Sequence, residues 1–549
     1  MSEIGSVAPP TYSPPVEAGA AGAPPLPGWD EALAALDRAR ADGRRMGGAE
    51  AIARLHGRGK LTPRERVDLL VDPGSFRELG ELVTGMIRVP GRPDREAPAD
   101  GVVGGWARIG GRRVVVVADD GTITAGARGP GGNRKAGYLR GLAANHGYPL
   151  VLLLESSANR FQGMMGAQFA GAGGGGSAGM APPLAAWRQP GRSPVICAVL
   201  GTALGAASFQ TMDAEFSTLA APTAAMALAG PPVVAGGIGV TATVADLGAG
   251  EVHATTTGFI DHLGVDEADC IAAVREVVSY LPSSSRELPP RVLSDDPADR
   301  RTPEAVELVP LDHRKPYDMG ALVRMLVDGG RFFELRPAFA KNIIIGYARI
   351  DGWTVGIVAN QPRHLGGIVD VKAVVKAVRF AQICNAYNIP LVFLQDQPGF
   401  IVGPQSEREG ALRQVVRLMN AAYGATTPMV TVLVRKAYGF STWLLGGRPV
   451  GADHVVAWPS ASISLAAPEI GVATVLQREM EAGELSEERQ QELYASYRRM
   501  SQGRWAAYDF RIDDVIEPER TREVLARALA MAERKRRREL GTRRRFDTA

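Results

Sequence analysis

Two stretches of this chain run from an apolar strand into small residues and then into a helix. The first is VICAVLG (195–201), leading to Gly205-Ala206-Ala207 and on to SFQTMDAEF. The second is VTVLVRK (430–436), leading to Ala437-Tyr438-Gly439-Phe440-Ser441. Small residues at the start of a helix leave backbone N–H groups open to a ligand, and the helix dipole adds positive potential there. Such groups stabilise an oxyanion such as an enolate. A glycine turn that only packs a strand on a helix explains either stretch alone. Two of them at equivalent places favour two oxyanion holes, one for each of two reactants. Nothing argues for a side-chain nucleophile: there is no GxSxG elbow, and the 7 histidines form no HExxH. Glu155 and Asp396 are the one pair of equivalently placed acids, at strand ends. They fit structural hydrogen bonding as well as proton transfer.

The elements around these turns are duplicated. ARIGGRRVVVVADD…PLVLLLE (107–155) lines up without a gap on ARIDGWTVGIVANQ…PLVFLQD (348–396), a spacing of 241 residues. A second echo, SPVICAVLGTALGAAS (193–208) on TPMVTVLVRKAYGFST (427–442), has a spacing of 234. These spacings are far too long for a solenoid. Runs such as VVVVA (114–118), LVLLLE (150–155) and VICAVL (195–200) read as strands buried on both faces, in sheets covered by helices. The fold class is therefore α/β, in two similar domains. We expect a Pro/Ala/Gly-rich tail over 1–28, a first domain over 29–282, a polar linker over 283–303, a second domain over 304–535 and a basic tail over 536–549. TPRERVDLLVD (62–72) has the Thr cap, following Pro and Glu of a helix start.

Bulk properties narrow the field. Hydrophobic content of 45% suits sizeable cores, and a net charge of +3 implies no strong field for nucleic acid. The 3 cysteines are far apart and match no metal-ligand spacing, which suits a reducing, cytoplasmic setting. No apolar run spans a membrane, and the N-terminus lacks the pattern of a signal peptide. The glycine cluster AGAGGGGSAG (170–179) has no Gly-Lys-Ser/Thr after it, so it reads as a loop near a site and not as a phosphate loop. GKLT (59–62) also fails the Walker pattern.

Several longer segments are similar to one family. They are GKLTPRERVDLLVDPGSFRELG (59–80), DGVVGGWARIGGRRVVVVADD (100–120), LGAGEVHATTTGFIDH (247–262), VGIVANQPRHLGGIVD (355–370), RFAQICNAYNIPLVFLQDQPGF (379–400) and GADHVVAWPSA (451–461). On them the chain resembles the carboxyltransferase (β) subunit of biotin-dependent acyl-CoA carboxylases, over roughly residues 30–535. The resemblance implies two tandem crotonase-like (ClpP/crotonase) β-β-α superhelix domains. It implies a site shared between the N-terminal half of one subunit, which binds acyl-CoA, and the C-terminal half of another, which binds carboxybiotin. It further implies a homo-oligomer, usually a hexamer, and a biotin carboxylase/biotin carboxyl carrier (α) partner. Mapped onto this sequence, the thioester hole falls on Gly205, Ala206 and Ala207, and the biotin hole on Gly439, Phe440 and Ser441. Biotin contacts fall on Gly366, Gly367, Pro398, Gly399 and Phe400. No resident metal is implied, and the four-cysteine zinc ribbon of one bacterial branch is missing.

The departures from the family pattern bear on substrate. A glycine-permissive loop has become SSANRFQG (156–163), which places Ser157 and Ala158 in the substrate region. Trp443 stands where propionyl-type members carry an Asp that lines the acyl pocket, so acyl-chain preference is expected to change. Phe440 adds bulk where Gly is usual. Arg134 and Lys135 are the expected holders of the CoA phosphates, although an exposed helix face explains them equally well. No AMKM biotinylation motif and no ATP-binding half occur in the sequence. Three readings follow: an acyl-CoA carboxylase carboxyltransferase subunit, a biotin-dependent decarboxylase or transcarboxylase subunit using the same holes, or a weakly catalytic scaffold subunit. A crotonase-type hydratase is disfavoured, because that chemistry needs paired glutamates and only one domain copy.

Overall fold

A computed structural model of the chain describes residues 28–87, 91, 93–156, 189–483 and 485–535. Its first half is built on β1 (Arg77–Glu78), β4 (Val102–Ile109), β5 (Arg112–Asp119), β6 (Leu150–Ser156), β7 (Val195–Leu204), β8 (Phe216–Ala220), β9 (Ala225–Ala227) and β10 (His262–Gly264). A separate hairpin is made by β2 (Thr84–Ile87) and β3 (Arg95–Pro98). The sheet order is β1-β4-β5-β6-β7-β8-β10, with β9 alongside the end of β7. The second half has β11 (Phe332–Leu335), β12 (Ile343–Ile350), β13 (Trp353–Asn360), β14 (Leu391–Gln397), β15 (Met429–Tyr438), β16 (His454–Ala457), β17 (Ser462–Ser464) and β18 (Asp514–Val515). Its order, β11-β12-β13-β14-β15-β16-β18 with β17 alongside β15, repeats the first.

The repetition extends to register. Val102 faces Asp119 as Ile343 faces Asn360, and Leu150 faces Val195 as Leu391 faces Met429. Both β6–β7 and β14–β15 slip register near their carboxyl ends, just before the two turns. In each sheet the first two pairings are antiparallel and the rest parallel. The central strands are buried along almost their whole length, as runs of Val, Leu and Ile require when helices cover both faces. Helices Pro130–His146 and Val371–Ala386 fill the same place after β5 and β13. Thr62 caps helix Pro63–Leu70 with a reciprocal bond to Glu65. Among the described residues, no helix is long and apolar enough to cross a membrane.

The two sheets share one hydrophobic core, which runs from Val67 and Val102 through Phe216 and Tyr280 to Tyr347 and Tyr387. Tyr280 stacks on Tyr347 at 5.7 Å, and Phe216 packs on Phe333 at 5.9 Å. Polar groups buried in this seam are paired across it. Arg336 donates to Asp261 at 2.8 Å, and Arg379 donates to the Ala214 carbonyl. The Tyr387 hydroxyl donates to Glu215 Oε1 at 2.5 Å. Residues 290–292 of the linker lie along the β12–β13 turn, where Thr354 donates to the Pro290 carbonyl.

Burial pushes the Glu215 carboxyl up to about 7, against bonds from Tyr387, Gly191 and Val195 that favour its ionised form. A carboxyl raised in the fold adds stability that is complete below its unfolded pKa and is lost as pH rises through the folded one. Urea unfolding at several pH values therefore tests the seam. Between about pH 5 and pH 7 the native chain should lose roughly 2 kcal/mol relative to Glu215→Gln. Parallel pH profiles for the two proteins would show that Glu215 ionises normally.

Candidate active site

At the carboxyl end of β6, Glu155 is buried between two cations. Lys60 donates to Glu155 Oε1, and Arg66 lies 2.7 Å from Oε2. Arg66 also grips Glu267 with two bonds of 2.7 Å. At the same place in β14, Asp396 is wholly buried and meets Arg435 and Lys436, each at 2.7 Å. Both acids are thus held as ion pairs, which fits structural hydrogen bonding. Arg435 also donates to the carbonyls of Pro310, Asp312 and Lys315, so it ties the segment before the second sheet to the strand end.

The two turns sit just beyond these strand ends. Gly205 has φ 55° and ψ −124°, and Gly439 has φ 73°, conformations that disfavour any side chain. Their own N–H groups are consumed: Gly205 donates to the Ala227 carbonyl at 3.1 Å, and Gly439 to the Ser464 carbonyl at 3.0 Å. The glycines therefore shape the turns and do not supply donors. Among the described residues, the next two N–H groups at each turn find no acceptor. These belong to Ala206 and Ala207 in the first half and to Phe440 and Ser441 in the second.

Side chains of β14 lock the second turn. Ser441 donates to Gln397 Oε1 at 2.8 Å, Gln397 donates to the Tyr438 carbonyl at 3.2 Å, and Gln395 donates to the Leu445 carbonyl at 2.6 Å. Phe440 packs against the shared core and lies edge-on to Trp443, ring centres 5.4 Å apart. Its bulk is accommodated without covering its own N–H with an acceptor.

The glycines expected around biotin converge on this turn. The Gly399 carbonyl accepts from Val369 at 2.9 Å, and Phe400 pairs with Val369 beside Pro398. A Cβ on Gly439 would lie 3.9 Å from the Gly399 Cα. Gly366 and Gly367 have φ of 61° and 81°, and a Cβ on Gly367 would strike the Asp396 carbonyl. The loop Thr124-Ala125-Gly126 repeats this left-handed path in the first half, with φ of 46°, 50° and 76°. There a Cβ on Gly126 would strike the Glu155 carbonyl. Ser157 and Ala158 lie outside the described residues.

Lys135 does not have the place expected of a phosphate ligand. It is buried, donating to Glu78 at 3.1 Å and to the Val102 carbonyl at 2.9 Å, and burial lowers its pKa. Its repeat counterpart Lys376 donates to Ile343, which corresponds to Val102, and burial lowers its pKa to about 7. Both lysines pin a helix to the start of a strand. Arg134 is exposed on the same helix. Arginines gather elsewhere, in a cavity of about 660 Å³ lined by Arg45, Arg54, Arg58 and Arg95, by Glu96 and by the loop 121–125. That loop leads into Gly126, which rests on the end of β6, so the cavity and the first turn share one edge of the sheet. Ligands of α/β sheets bind at that edge. No motif in the sequence marked these arginines, because they come from two short helices and a hairpin.

The chain matches the carboxyl transferase domain family over residues 54–546. It is 35% identical over 507 residues to a propionyl-CoA carboxylase carboxyltransferase subunit of Haloferax mediterranei, covering 91% of this chain and 96% of that one. It is 34% identical over 491 residues to the methylmalonyl-CoA decarboxylase subunit alpha of Veillonella parvula, covering 89% and 93%. Among solved structures it is similar to transcarboxylase 12S, a hexamer with methylmalonyl-CoA bound. That match has a TM-score of 0.87 and 30% identity and covers 95% of this chain and 99% of the other. The two duplicated sheets are thus tandem crotonase-like domains.

Removing one partner of a buried ion pair costs about 3–5 kcal/mol. Arg435→Met should therefore lower stability by that amount in chemical denaturation. A loss under about 1 kcal/mol would show that Lys436 alone neutralises Asp396.

Proposed function

The chain belongs to the carboxyl transferase domain family as a carboxyltransferase of the acyl-CoA carboxylase type, and from this premise we propose how its residues divide the reaction. The N-terminal half, residues 29–282, takes the acyl-CoA. The C-terminal half, residues 304–535, takes carboxybiotin delivered by a biotin carboxylase and carrier partner. The observation that carries this division is the pair of open N–H groups at equivalent turns.

In the first half, Ala206 and Ala207 hold the thioester oxygen as negative charge grows on it. Fixed donors in a site shielded from water stabilise that charge more than bulk solvent does. The α-carbon can then lose its proton and form the new bond to carbon dioxide. Glu155 and Asp396 are committed to ion pairs, so in this reading the second reactant takes the proton. In the second half, the open N–H groups of Phe440 and Ser441 are assigned to the ureido oxygen of carboxybiotin, with Gly399, which borders Gly439, beside them. When bound there, carboxybiotin supplies the one-carbon unit. The arginine cavity holds the CoA phosphates through charge-assisted bonds.

Each half brings one turn, and two copies complete the site. Helix Pro231–Ile238, apolar and without a buried residue, and the exposed Ile470 and Val475 of the second half are faces suited to contact between copies. The hexamer of the similar transcarboxylase supports an assembly of this kind. The same donors serve carboxyl transfer in either direction, and the similarity to a decarboxylase subunit keeps that direction open.

The experiment is fixation of ¹⁴C-bicarbonate by the full chain with a biotin-bearing partner and ATP, across a series of acyl-CoAs. Fixation into one of them supports the division. A stable complex without fixation in either direction would overturn it. Ala206→Pro fits the first position of its helix and follows a glycine that is not helical, so it removes one donor with the turn intact. It should lower kcat about 10²-fold. Arg54→Ala with Arg58→Ala should raise KM for acyl-CoA at least about tenfold with little change in kcat, since ground-state and transition-state binding weaken together.

A further inference from the structure

Resting on the reading of the first turn as the thioester site, we propose that the acyl group of the substrate is an apolar chain of about four or more carbons, seated between Phe209 and Leu228. Leu228 directly follows the Ala227 carbonyl that binds the Gly205 N–H. A Cβ on Gly205 would lie 3.7 Å from the Leu228 carbonyl, so this residue borders the turn. Phe209 follows Ala206 by three positions on helix Ala206–Met212, which puts it one turn from the open donors and on their side of the helix. Both side chains face solvent, Phe209 42% exposed and Leu228 73% exposed.

The second half repeats the arrangement. Trp443 corresponds to Phe209 and is 49% exposed; Leu465 follows the Ser464 carbonyl that binds Gly439 and is 86% exposed. An aromatic ring and a leucine therefore flank both donor pairs. A water-facing apolar pair at the same place in both halves points to a ligand with apolar surface beside its oxygen. In the first half that ligand is the thioester. An acetyl or propionyl group offers them little apolar surface. A longer chain buries more of both.

The test is calorimetric titration of the assembled full chain with CoA and with straight-chain acyl-CoAs of two to ten carbons. Phe209→Ser and Leu228→Ser are measured beside the native protein. Affinity should rise about fourfold for each methylene beyond the third carbon, and each serine variant should flatten that gradient. CoA itself reports on the phosphate cavity in every variant. Equal affinities for CoA and all its thioesters would overturn the proposal and leave the thioester site standing. A gradient unchanged in both variants would also overturn it, moving the chain to another wall. No binding of CoA or of any thioester would overturn both readings.

Discussion

A carboxylate cannot stay in the interior without cations, and this chain buries one at the end of the fourth strand of each large sheet. The turns that carry the open donors stand on those strand ends, so their geometry depends on the charges beneath being neutralised. The two halves satisfy this requirement with different residues. Asp396 uses Arg435 and Lys436 from the neighbouring strand β15, whereas Glu155 uses Lys60 and Arg66 from the segment before the sheet. Arg66 is fully buried and is held also by Glu267, so the first strand end is anchored to elements far apart in the chain.

Around these anchors the polar seam joins the two sheets into one body. Asp261, Arg336 and Arg379 form a buried charge cluster at the junction, beside the stacked Tyr280 and Tyr347. A single core across the junction means that one half cannot tilt against the other without exposing apolar surface. The two turns are thus carried on one support.

Much of this was legible in the sequence, for reasons that differ by element. The duplication and the β/α rhythm were legible because strand burial writes itself as Val and Leu runs at fixed offsets. The turns were legible because a glycine between an apolar strand and a helix recurs at the 234-residue spacing. Which atoms of the turns are open was not legible: the Gly205 and Gly439 N–H groups are taken by Ala227 and Ser464, whose approach depends on how β9 and β17 fold back. Lys135 looked like a phosphate ligand because a basic residue early in a helix resembles one, yet tertiary packing turns it inward to Val102. The four arginines of the cavity come from separate elements, and no local pattern carries a long-range meeting of that kind.

Gly201 occupies the place in the first half that Arg435 holds in the second. A Cβ there would lie 2.6 Å from both the Glu155 carboxyl carbon and the Lys60 ammonium. Exchange of β7 for β15 by recombination between the two gene segments would therefore drive an arginine into an ion pair that already has its cations. The halves still share a topology, but their strands are no longer interchangeable parts.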